Sequence, residues 1–218
     1  GEGNRRNVVK YESPALAGFI LSAAAGEDDI WDVALRYAGE FSGFKLAFGV
    51  GYERTTDGTN SGTGSERNCI VTASGDSKCE QLGLSGSVMH VATGLFVNGY
   101  YGYRKDDNVT VANQDDTSTR WGVMAGIEQN WTGLGKTTIF GEYNRWEIGA
   151  NATFNTTGLA GSDMTMWGFG LNQNIAAAAM DLYVQYRNYD DISTHTNAGV
   201  KTGFESIQQI MAGGKINF

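Results

Sequence analysis

Apolar and polar positions alternate with a period of two along most of this chain. Between Ile30 and Phe41, the residues Trp31, Val33, Leu35, Tyr37 and Phe41 share one parity, while Asp32, Ala34, Arg36, Ala38 and Glu40 share the other. That is the signature of a strand with one greasy and one wet face. After the tight turn Ser42-Gly43 the pattern resumes, with Phe44, Leu46, Phe48, Val50 and Tyr52 on the apolar side and Lys45, Ala47, Gly49 and Gly51 opposite. The same reading predicts strands over 7–13, 19–26, 82–89, 95–103, 121–131, 137–143, 167–175 and 180–186. A last strand, from Gln208 to Phe218, makes about eleven. That strand ends on an aromatic residue, where a soluble domain usually frays into polar ones.

The connections alternate in length. Short turns at 42–43, 91–92, 132–135 and 176–179 are interleaved with polar loops at 53–78, 105–119, 147–164 and 190–205. One end of the structure therefore carries turns and the other carries loops, as in an antiparallel up-and-down barrel of the outer membrane. Aromatic residues gather near the strand ends: Tyr11, Trp31, Phe41, Phe44, Tyr52, Tyr101, Tyr103, Trp121, Trp131, Tyr143, Trp146, Tyr186, Tyr189 and Phe218. Such rings suit the two membrane interfaces.

Composition agrees with this picture. The 31 glycines and single proline suit a chain that is mostly hydrogen-bonded strand, because proline removes a ladder donor. No apolar run is long enough for a membrane-crossing helix, which leaves a β-barrel open, since barrel strands hide their hydrophobicity in alternation. The net charge of −8, with no basic stripe, argues against a nucleic-acid partner. The 218 residues fit one domain. Cys69 and Cys79 lie in one polar loop without companion ligands, so a disulfide in an oxidising compartment is preferred over a zinc site.

Candidate chemistry is sparse. His90 and His195 fall at opposite ends of the expected barrel, and no nucleophile-histidine set or metal site can be assembled from them. The acids Asp106, Asp107, Asp115 and Asp116 read as a solvated charge run in a loop, in preference to a divalent-cation site there. The wet parity is more informative. It holds Arg6, Lys10, Glu12, Asp32, Arg36, Glu40, Lys45, Gln81, Asn98, Arg104, Arg120, Glu128, Glu142, Asn144, Asp181, Gln185, Arg187 and Lys215. So many ionisable groups cannot be buried dry, so they line water, and a barrel with a polar lumen is a channel.

The run VVKYESPALAGFILSAAAGEDDIWDVALRYAGEFSGFKLAFGVGY, Val8 to Tyr52, together with the closing GGKINF, resembles the general diffusion porins of Gram-negative outer membranes. The resemblance implies the last eleven or so of sixteen strands. It implies a homotrimer with separate pores, each narrowed by an inward-folded third loop whose acids face basic groups on the wall. Glu2 would stand on the tail of that loop. On inward parity, Arg6, Lys10, Arg36 and Lys45 are the expected basic wall, with Asp32, Glu40, Glu142 and Asp181 as lining acids. Phe218 is the expected C-terminal insertion signal for the barrel assembly machinery. Outer-membrane lipid and lipopolysaccharide are the expected surroundings, and no cofactor, metal or catalysis is expected. A smaller barrel acting as adhesin or enzyme, and a secreted β-sandwich binding protein, are the competing readings.

Overall fold

A computed structural model describes residues 7–26, 29–56, 78–109, 113–149 and 158–216. Arg6, Glu2, Cys69 and Phe218 lie outside them. Twelve strands form one antiparallel sheet: β1 Val8–Glu12, β2 Phe19–Gly26, β3 Trp31–Phe41, β4 Phe44–Thr55, β5 Cys79–His90, β6 Leu95–Asp106, β7 Thr117–Gln129, β8 Thr137–Ile148, β9 Leu159–Ile175, β10 Met180–Thr196, β11 Lys201–Gly203 and β12 Ile207–Ile216. Each strand from β1 to β10 pairs with the next, and β10 pairs with both β11 and β12. All eleven expected strands are present. The additional one, β11, lies in the stretch expected as a loop: it continues the stave of β12, covering Ser193 to His195 while β12 covers Met180 to Tyr189. The sheet is open, and among the described residues the outer edges of β1 and β12 meet no strand.

The turns follow from local chemistry. Ser42 and Gly43 both have positive φ, 51° and 81°, as a two-residue hairpin turn matching the twist of its strands requires. At Gly94 a side chain would collide with the backbone of Glu128, whose amide donates to the Gly94 carbonyl at 2.9 Å. Ala176–Ala178 make a single 3-10 turn that closes on Ala179 with φ 45°.

Burial is inverted relative to a soluble domain. The buried side chains are mainly polar, including Ser22, Thr55, Asp106, Asn144, Thr165 and Asn188. Meanwhile Val33, Phe48, Leu84, Val97, Ile139 and Phe169 are 40–57% exposed. The register shows why these residues make one surface. Leu35, Val50, Leu84, Tyr101 and Trp121 are successive cross-strand partners, as are Ile139, Leu171, Val184 and Ala212. An apolar band this continuous belongs against lipid.

The aromatic line at the loop end fixes the strand tilt. It runs through Tyr52, Tyr101 and Tyr103, Trp121, Tyr143, Trp167 and Tyr186, with Trp121 and Tyr143 5.4 Å apart and Trp167 and Tyr186 5.5 Å apart. This line crosses the hydrogen-bond ladder obliquely. Following the ladder from Tyr52 through Leu82, Tyr103, Thr119 and Glu147 reaches Asp163, six residues from Phe169, the partner of Tyr186. The line thus drops one residue per strand. At about 3.3 Å per residue and 4.8 Å per strand, a girdle lying flat in a membrane plane requires strands tilted about 35° from the barrel axis, within the range of membrane barrels.

Two expectations are corrected. Trp146 and Tyr189 are on the polar face, opposite Arg120 and Met166. They are therefore not part of the interfacial girdle. Several loops are also shorter than expected, because β9 begins at Leu159 and β10 runs to Thr196. Where a barrel wall rises beyond lipid both faces are wet, and the alternation that reveals a strand disappears.

Candidate functional site: the polar wall

All the inward-parity residues expected from sequence that the structure describes share the polar face. It divides into two sections. Over β2 to β5 the wall is made of small side chains: Ala34, Ala38, Ala47, Gly49, Gly51, Gly83, Ser85 and Ser87. A shallow depression lined by Ile20, Ala38, Ala47, Ser85, Ser87 and Asn98, among others, lies here. The space over its glycines is loose, with the nearest atom to a Cβ at Gly51 being the Ala34 methyl at 3.6 Å and at Gly83 the Gly51 carbonyl oxygen at 4.0 Å.

From β6 to β12 the wall is paved by long side chains lying across glycines of an adjacent strand. Tyr100 covers Gly122, Phe140 covers Gly170, and Tyr183 covers Gly213, with atoms 2.6–2.7 Å from where a Cβ would be. Arg120 covers Gly102 in the same way, its Nε 2.8 Å from that point, and Arg187 lies over Gly168. Absence of a side chain at these glycines lets each neighbour lie flat.

The charged groups of the two sections are bonded differently. Lys10 and Arg36, two of the four expected basic-wall residues, converge on Glu12, with Nζ and Nη2 at 3.2 and 2.6 Å from its Oε2. Parity alone puts Glu12 on this face without distinguishing it from its neighbours; its place beside Ser22 of β2, with Arg36 one strand further on β3, comes from the β1–β2–β3 ladder. Lys45 is elsewhere: it faces Glu40 beside the Ser42-Gly43 turn. Asp32 is at the opposite, loop end of β3. Glu142 accepts from Arg187 Nε at 2.9 Å and from the Gln185 amide, and its side chain is 7% exposed. Asp181 accepts from Asn174 at 2.9 Å, opposite Lys215 in the β10–β12 register. Near the turns, Glu128 binds Lys136 at 2.6 Å.

The cysteine and histidine sites can also be placed. Cys79 begins β5, is buried and is not a free thiol. His90 bonds Thr93 at 2.8 Å near the turn end. At the loop end, on the apolar-parity face beyond Trp167, His195 Nε2 lies 2.6 Å from Asp163 and the Ser193 hydroxyl donates to the same carboxylate at 3.4 Å. Serine and imidazole both address the acid rather than each other, and Ser193 is buried. A nucleophile must instead be bonded to its base. Among the four loop acids, Asp106 is buried and accepts from the Asn108 amide, while Asp107 pairs with Lys105 at 3.3 Å. No group of three metal-ligating side chains occurs among the described residues.

An apolar, aromatic-girdled exterior and an ionised opposite face on one antiparallel up-and-down sheet define an outer-membrane β-barrel. The comparisons agree. The family described as Gram-negative porin matches residues 1–193, and the chain belongs to that family. It is an outer-membrane, multi-pass β-barrel protein of a Gram-negative bacterium. Among solved structures, outer-membrane expressed OmpT of Vibrio cholerae resembles it in fold, with a TM-score of 0.54 and 13% identity over 95% of this chain. The match covers 63% of that protein's chain. No curated protein matches.

Proposed function

We propose that the protein is a passive diffusion channel, admitting ions and small hydrophilic solutes through a water-filled lumen. One observation carries the reading: Lys10, Glu12, Arg36, Arg120, Glu142 and Arg187 share one face of a sheet whose other face is an apolar band. Charges on that face need water, and the opposite face needs lipid. Passage requires no reaction and no cofactor; width and wall charge select the solute. The working unit is a homotrimer in a lipopolysaccharide-containing membrane, inserted through recognition of the C-terminal strand. The Cys69–Cys79 disulfide closes a loop at the external end.

Reconstitution into planar bilayers tests the channel. Stepwise conductance that scales with salt concentration is expected. A sealed bilayer, with protein shown to be folded and inserted, overturns the reading.

A further inference from the structure

Four cations on the polar wall have a carboxylate: Lys10 and Arg36 share Glu12, Arg187 holds Glu142, and Lys136 holds Glu128. Arg120 differs. It is exposed, and it makes no hydrogen bond or ion pair among the described residues. Its guanidinium is held against the wall by the absence of a side chain at Gly102, its cross-strand partner. Arg104 is on the same face of β6 at the diagonal position, since Arg104 pairs with Ser118 and Gly102 with Arg120. Diagonal like charges repel, and the buried Asp106 lies beside Arg104 on its own strand, leaving Arg120 the less compensated of the two.

The neighbours of Arg120 are aromatic. Trp146 is directly opposite it on β8, and Tyr100 is diagonal to it on β6. The Tyr100 hydroxyl is committed to Asn144 Oδ1 at 2.8 Å, so it is the ring of Tyr100 that remains for a solute. A guanidinium offers a planar fork that fits a carboxylate with two parallel hydrogen bonds, and the adjoining rings offer apolar faces. Acetate or chloride could use only the first of these, whereas an aromatic acid uses both.

We propose that Arg120, with Trp146 and Tyr100 beside it, is a binding step on the lumen wall for small aromatic carboxylates. The carboxylate is taken by Arg120, and the ring lies along the two aromatic side chains. This deepens the channel reading and rests on it for its role in permeation, although binding itself can be measured without conduction.

The test uses benzoate, with acetate as the probe lacking a ring. In planar bilayers benzoate should reduce single-channel current in a saturable manner that acetate does not reproduce. Saturation-transfer NMR on the detergent-solubilised protein should show the benzoate ring in contact. Arg120→Gln is expected to weaken benzoate about tenfold in both measurements, the loss of one charge-assisted contact. Arg120→Lys should recover part of it. Trp146→Ala should weaken benzoate while leaving any acetate effect unchanged. Heat-modifiable gel migration confirms that each variant is folded. Equal responses to benzoate and acetate in the unmodified protein, or benzoate binding unchanged by Arg120→Gln, overturn the site. A protein that does not conduct but whose benzoate contact is lost in Arg120→Gln supports the site and overturns the channel.

Discussion

The two sections of the polar wall solve the same problem in opposite ways. Over β2 to β5 the middle of the wall is lowered by alanine, serine and glycine, and among the described residues its one ion-paired cation, Arg36, reaches the solvated Glu12 of β1, which Lys10 also binds. From β6 to β12 the wall carries large side chains, but several of them, Tyr100, Phe140, Tyr183 and Arg120 among them, lie flat on a neighbouring glycine, and its main ion pair, Arg187–Glu142, is drawn into the surface. The first section makes room by small residues, the second by seating large ones. The difference teaches that bulk on a lumen wall does not translate directly into obstruction, and that charge there has two uses. Glu142 locks neighbouring side chains together, whereas Glu12 holds two exposed cations, Lys10 and Arg36, on the solvated wall.

The comparison breaks most readily at Glu142. Glu142→Ala strands Arg187 without its carboxylate in a partly covered position and should cost about 3 kcal/mol, read from the urea midpoint of unfolding in micelles. Next is the contrast between seated and open glycines. Gly122→Ala pushes a methyl into Tyr100 and Asn144 and should cost about 2 kcal/mol, whereas Gly83→Ala on the smooth section should change stability by less than about 0.5 kcal/mol. Equal effects would erase the distinction between the sections. Glu12→Gln sharpens it from the other side. With Lys10 and Arg36 both exposed and released, the reversal potential under a salt gradient should move toward anions while the urea midpoint stays in place. The smallest effect belongs to Lys136→Ala, whose pair with Glu128 is largely solvated and contributes roughly 0.5 kcal/mol or less.

Much of this was legible in the sequence because a membrane wall enforces a period of two. Trp31 to Phe41 and Phe44 to Tyr52 reveal which residues face lipid without any knowledge of pairing. The same parity placed Lys10, Arg36 and Glu142 on the wall. What parity does not give is register. Glu12 and Arg36 are 24 residues apart and Glu142 and Arg187 are 45 apart, and they meet only because successive ladders align them. The upper reaches of β9 and β10 were unreadable for a different reason. Ser162, Asp163, Thr194 and His195 stand above the girdle, where neither face needs to be apolar. A tryptophan near a strand end usually belongs to the girdle, which is why Trp146 is expected there from sequence; its parity, the same as that of Glu142 and Asn144, is the better guide.

The seats under Tyr100, Phe140 and Tyr183 have a consequence for how such a chain diverges. Each joins a glycine on one strand to a ring on the next, so neither position is free to vary while the other is retained. Alanine at Gly122 should be tolerated far better once Tyr100 is also alanine, an epistatic rescue that a double-mutant cycle measures. Among descendants of this sequence, the two members of each pair should be replaced together, so that the lumen's lining is inherited as matched couples across strands rather than residue by residue.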